Sequence, residues 1–92
     1  MKKFLIEVPH DADKQACDHA VQVFLQTGSH FLTNAEWGCH DGVHKAWMIV
    51  EVPSKEDARF IVPPYFRSSA TVVQLTTFTP EDLQDPGMYH QG

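Results

Sequence analysis

Two groups of residues have the types and spacing to do chemistry. The first is Cys39-His40 with His44 close behind and His10 far upstream. Thiolate sulfur and imidazole nitrogen are donors that transition metals such as zinc and nickel accept. The second is Glu36, which a hairpin places opposite Trp47, with Glu7 and Asn34 on the same face. A carboxylate desolvated beside an indole holds its proton more tightly and can exchange it near neutral pH. Arg67, just after Tyr65-Phe66, can grip an anionic substrate through two parallel hydrogen bonds. Each group also has a plainer use. His40 and His44 can flank an exposed turn, with Cys39 a small buried apolar residue. Glu36 can lay its stem on Trp47, and Arg67 can pair with Asp11 or Asp41.

The element that must position these residues is the stretch EWGCHDGVHKAWMIVEV, Glu36 to Val52. Asp41-Gly42 between two β-rich runs predicts a hairpin with a two-residue type I′ turn, which needs positive φ at both central residues. Cys39 then faces His44, Trp37 pairs with Ala46, Glu36 with Trp47 and Ala35 with Met48. One face carries Trp37, Cys39, His44, Ala46, Met48 and Val50. The other carries Asn34, Glu36, Lys45, Trp47 and Ile49.

Before the hairpin, Lys2 to Val8 alternates as a half-buried strand, with Phe4, Ile6 and Val8 on one side. Asp11 or Asp13 caps a helix whose inner stripe is Asp13, Cys17, Ala20, Val21 and Phe24, and Gly28 ends it. His30 to His40 reads as the second strand and His44 to Val52 as the third. Ser54 caps a second helix, Lys55 to Val62, which Pro63-Pro64 stops. Tyr65 to Ser69 reads as a loop and Ala70 to Phe78 as the fourth strand. Thr79-Pro80-Glu81-Asp82 starts a final helical turn. Residues 1–79 form one domain, and residues 80–92 a C-terminal turn and tail that includes His90.

The order β-α-β-β-α-β is the ferredoxin-like plan, an α+β fold. Its four antiparallel strands stand in the order 4-1-3-2, with two helices on one face. The end of the first strand, the start of the first helix, the hairpin turn and the exit of the second helix fall at one pole. That gathers His10, Asp11, Cys39, His40, Asp41, His44, Tyr65 and Arg67. The open face carries Leu5, Glu7, Leu32, Asn34, Glu36, Trp47 and Ile49, an apolar patch beside carboxylates and amides. A second subunit or a ligand is what covers such a patch.

Composition narrows the classes. The 92 residues carry a net charge of −5, seven Lys plus Arg against twelve Asp plus Glu, with no basic run, which argues against nucleic acid. No apolar run approaches the ~20 residues of a membrane span. The start MKKFLIEVPH lacks a long apolar region and a cleavage site, so it reads as a strand and not as a signal peptide. A cytoplasmic location follows as the expectation, and with it free thiols at Cys17 and Cys39, although the two Cα atoms are expected within disulfide range.

The run Trp47-Met48-Ile49-Val50-Glu51-Val52-Pro53-Ser54, then Pro63-Pro64-Tyr65-Phe66 and the strand Thr71 to Leu75, resembles the dimeric α/β-barrel superfamily. Within it the chain looks most like the muconolactone-isomerase-like group or a related small family of unknown function. The resemblance is a pattern of elements over most of the chain and includes no catalytic motif. It implies a homodimer joined by the open sheet faces. It also implies a small isomerase, lyase or cofactor-free oxygenase acting on a small organic acid. The residues themselves, and not the resemblance, suggest the roles in such an enzyme: Glu36 and His10 catalytic, and Trp47, Tyr65, Arg67 and Asn34 holding the substrate. The alternatives are a metal-binding or metal-responsive module using zinc or nickel on His10, Cys39, His40 and His44, and an accessory dimer without chemistry.

Overall fold

The structure, a computed structural model, describes residues 1–84. Strand β1, Lys2–Pro9, buries Phe4, Ile6 and Val8 and leaves the alternate residues half-exposed. Helix α1, Lys14–Thr27, begins at Asp13, whose carboxylate accepts from the Ala16 amide at 2.7 Å, and ends at Gly28 with φ 72°. Only a residue without Cβ adopts that φ cheaply. Strand β3, Lys45–Val52, buries Ala46, Met48, Val50 and Val52 on the same side as the inner residues of β1. Helix α3, Lys55–Ile61, is capped by Ser54, and strand β4, Thr71–Leu75, buries Val72.

Two segments depart from the sequence reading. His30 to His40 is not a continuous strand. His30–Thr33 is a helical turn, α2, and strand β2 is only Glu36–Trp37. The Asn34 amide and the Thr33 hydroxyl both donate to the His30 carbonyl, at 2.7 and 3.1 Å. Such local bonds compete with a strand ladder. The turn carries Leu32 into the core at 1% exposure instead of onto the open face.

The hairpin turn is also wider than expected. Residues Cys39–Asp41 form a 3-10 turn closed by Gly42 with φ 78°. Asp41 keeps a negative φ, so the two positive values of a type I′ turn are not met. The Gly38 carbonyl accepts from Asp41 and Val43, both at 3.0 Å, while the Gly38 amide donates to Lys45 at 3.1 Å. The register survives: Glu36 pairs with Trp47 and Trp37 with Ala46.

The remaining differences are at ends. Strand β4 stops at Leu75 rather than Phe78, because its partner Lys3 is near the start of β1. The expected loop after Pro63 holds a helical turn, α4, Pro64–Arg67, which buries Phe66. Pro80–Gln84 is a 3-10 turn, with Thr79 donating to the Asp82 carboxylate at 2.7 Å. Residues 85–92, including His90, lie outside the described residues.

The four strands form one antiparallel sheet in the order β2-β3-β1-β4, the expected order read from the other edge. Phe24, Leu32, Ala58 and Phe66 from the helices, with Val62 just after α3, pack against Phe4, Ile6, Val8 and Met48 to make the core. Among the described residues no helix is long and apolar enough to cross a membrane. Strands β1 and β3 are central, so Pro9 and Lys45 pair at the sheet end where both strands meet the loops.

Candidate metal centre

His10 and His44 extend the central ladder by one rung. The His10 amide donates to the His44 carbonyl at 3.0 Å, just past the Pro9–Lys45 pair. Their rings sit edge to face with centroids 5.7 Å apart, and the His10 ring also leans on Trp37 at 5.9 Å. Cys39 opens the 3-10 turn between β2 and β3. Its neighbour Gly38 has no room for a side chain. A Cβ there would stand 2.8 Å from the Trp47 ring and 2.8 Å from the Val43 carbonyl. Glycine at this point lets the chain pass Trp47 and turn Cys39 inward.

One ligand atom each from His10, Cys39 and His44 lies within 4.8 Å of the others. Donors around a tetrahedral zinc lie about 3.3–3.8 Å from one another, given bonds of about 2.0–2.3 Å. Shifts of about an ångström would therefore bring this set onto one ion.

The hydrogen bonds say which atoms are free to bind. His10 Nδ1 is 2.8 Å from the Asp11 carbonyl, which can only accept, so Nδ1 carries the proton. Nε2 then presents its lone pair, and it faces Cys39 Sγ at 3.1 Å. A ring nitrogen donating to a carbonyl while the other points at the site is the usual support of a ligating histidine. His44 Nδ1 is buried and has no hydrogen-bond partner. An orphaned buried nitrogen costs about 1–3 kcal/mol, and a cation would satisfy it.

Cys17 on α1 joins this group from the other side. Its thiol donates to Cys39 Sγ at 2.8 Å, and both cysteines are free. That hydrogen bond, together with burial, pushes the Cys17 thiol up to about 11. Cys17, Trp37, Cys39 and His44 line a cavity of about 540 Å³ between α1 and the hairpin. His40 borders the cavity but is exposed, and its nitrogens stand apart from the three-residue cluster. A 3-10 turn advances by a third of a revolution per residue, so it faces Cys39 inward and His40 outward. The residue beside this cluster that sequence reasoning did not count among the metal candidates is Cys17. Its signal was its place on the inner stripe of the first helix, over the hairpin.

The residues of the enzyme reading divide between separate places. Asn34, Glu36 and Trp47 do meet, in a groove of about 290 Å³ on the open face with Leu5 and Ile49. Glu36 is exposed there, and the Trp47 indole donates to Glu7 Oε1 at 3.0 Å. Glu7 is brought opposite Trp47 by the β1–β3 register. The indole bond and Lys45, 3.4 Å away, hold the Glu7 carboxyl below its ordinary range. Tyr65 stacks edge to face on His19 at 5.4 Å and borders a different cavity with His10 and Asp11. Arg67 donates to the Val62 and Phe60 carbonyls at the end of α3, at 3.0 and 3.3 Å, and lies over the Phe60 ring. Those carbonyls, rather than Asp11 or Asp41, are its partners.

Comparison with protein-family models, with curated proteins and with solved structures finds no match for this chain.

Proposed function

We propose that this chain binds a transition metal ion through His10, Cys39 and His44 and acts as a metal-binding or metal-responsive module. The observation that carries the reading is the convergence of two imidazoles and a thiol, with their ligand atoms within 4.8 Å of one another. The tautomer of His10 and the unpartnered Nδ1 of His44 support it. A thiol with imidazoles suits zinc, copper or nickel better than calcium or magnesium, which take oxygen ligands. Elemental analysis of protein purified without an affinity tag, followed by calorimetric titration with zinc and nickel, tests it. A single ion per chain is expected, with binding lost in a His10→Ala, His44→Ala double variant. Absence of binding in the unmodified protein would overturn it.

A second reading keeps a small enzyme of the isomerase, lyase or cofactor-free oxygenase type. The groove where Asn34, Glu36 and Trp47 meet supports it. In that reading the fold is ferredoxin-like, a second copy covers the open sheet face, and Glu36 becomes desolvated only in the dimer. Turnover or tight binding of small organic acids, abolished by Glu36→Gln, is its test.

A further inference from the structure

We propose that Cys17 is the fourth ligand of this metal, so that the site is a closed set of two cysteines and two histidines fitted to zinc. The proposal rests on His10, Cys39 and His44 holding an ion, and it decides what kind of site they build.

Three ligands leave one tetrahedral position, which in zinc enzymes holds water or substrate. Cys17 is poised to fill it. Its Sγ already touches Cys39 Sγ at 2.8 Å, from the side of the cavity opposite the β strands. Two thiolates on one tetrahedral zinc stand about 3.8 Å apart. Cys17 stands outside the three residues whose ligand atoms lie within 4.8 Å of one another. Rotation of its side chain must therefore open the sulfur pair by about 1 Å and carry Sγ toward the histidines by about an ångström or more.

Other oxygen and nitrogen donors around the cavity are engaged or turned away. The Asp13 carboxylate caps α1 at the Ala16 amide. Asp18 pairs with Lys14 at 2.8 Å. His40 is exposed on the outer side of the 3-10 turn.

In the metal-free chain the Cys17 thiol donates to Cys39 Sγ. A divalent ion replaces that arrangement, since a coordinating thiol is deprotonated. Each sulfur gives its proton to solvent as its lone pair binds the ion, and no oxidant is involved. The hydrogen bond between the thiols is replaced by two bonds to one metal. The consequence is mechanical as well as chemical. Ligands from the end of β1, from α1, from the 3-10 turn and from the start of β3 would tie the first helix to the hairpin. Such a closed site is structural or metal-sensing, and it leaves no position for a substrate.

Cobalt(II) and zinc are the probes. Cobalt-loaded protein is expected to show tetrahedral d–d bands and thiolate-to-cobalt charge transfer. In Cys17→Ser the charge-transfer intensity should fall by about half, since one of two thiolates is gone. Zinc affinity should fall roughly tenfold or more, at least the cost of losing an outer partner. X-ray absorption on the zinc-loaded unmodified protein counts sulfur ligands without any substitution, and two sulfurs are expected. One sulfur, or a Cys17→Ser spectrum and affinity equal to the unmodified protein's, would overturn the role of Cys17 while leaving the three-residue site intact. If the unmodified protein takes neither cobalt nor zinc, the metal reading itself fails.

Discussion

The backbone amide of His10 donates to the carbonyl of His44 at 3.0 Å. That bond holds the two imidazoles at one end of the two central strands, where neither can drift without breaking the ladder. A site built on central strands is largely formed before its ligand arrives, so binding should appear as stability. An ion at a hundredfold excess over its Kd adds about 2.7 kcal/mol. For a domain of this size each kcal/mol is about 4–8 °C, so zinc should raise Tm by roughly 10–20 °C. Calorimetric scans with zinc and then with a chelator check this. The rise should be absent in His44→Ala.

Gly38 controls where Cys39 points. A Cβ at this position would meet the Trp47 ring at 2.8 and 2.9 Å and the Val43 carbonyl at 2.8 Å. The carbonyl belongs to the turn backbone and cannot swing aside as a flexible side chain can. Gly38→Ala is expected to cost about 1–3 kcal/mol, the usual cost of overpacking. It should also weaken zinc binding, because the strain is relieved by moving the turn that carries Cys39. Urea unfolding and metal titration of the same variant measure both effects. Full affinity in a destabilised Gly38→Ala protein would separate the turn from the site.

Glu7 gives the fold an acid-sensitive contact. The Trp47 indole, and after it Lys45, lower the pKa of its carboxyl from an ordinary 4.5. A carboxyl lowered on folding contributes stability that is present above its unfolded pKa and lost as pH falls through the folded value. Glu7→Gln should therefore be less stable than the unmodified protein at neutral pH, by about 0.2–1 kcal/mol for a partly exposed pair. The two stability curves should converge as pH falls from the ordinary carboxyl value of 4.5 through the lower folded value. Parallel curves would remove Glu7 from the acid response.

Much of this arrangement was legible in the sequence, and the reasons differ by residue. The approach of His10 and His44 follows from element order alone, because it makes the first and third strands neighbours. The Asp13 cap and the Gly28 stop are local signals, and local physics decides them. Leu32 was misplaced because His30 to Asn34 has strand-forming residues, yet the Asn34 and Thr33 side chains bond back to His30 and curl the segment. His40 stands apart from the cluster and Cys17 beside it for one reason. Adjacency in sequence marked Cys39-His40 as a pair, while the 3-10 turn separates them and the helix brings the Cys17 thiol to Cys39 from far away in the chain.

Leu32→Ala tests that correction. A leucine on an open sheet face would change stability by less than about 0.5 kcal/mol when truncated. Leu32 is 1% exposed and fully inside the core, so its loss should cost about 2–5 kcal/mol. Denaturant unfolding distinguishes the two values directly. A small effect would return the segment to the open face.

The open face exposes apolar side chains to water. Ile49, Leu5 and Val73 stand side by side across β3, β1 and β4, and Ile49 is 64% exposed and Val73 50%. One row further on, Glu36, Trp47, Glu7 and Thr71 cross all four strands. An apolar row beside a polar one suits a self-complementary pairing, in which a second copy covers the first and orients it. In an isolated chain Ile49→Asp would be nearly neutral, within about 0.5 kcal/mol, because the residue is in water. At a dimer seam the same carboxylate would be buried without a partner, which is strongly unfavourable. Light scattering of both proteins at equal concentration reads the difference. The expected result is a dimer that becomes a folded monomer on Ile49→Asp substitution. A monomeric unmodified protein, or a dimer unaffected by Ile49→Asp, would place the partner of this face elsewhere.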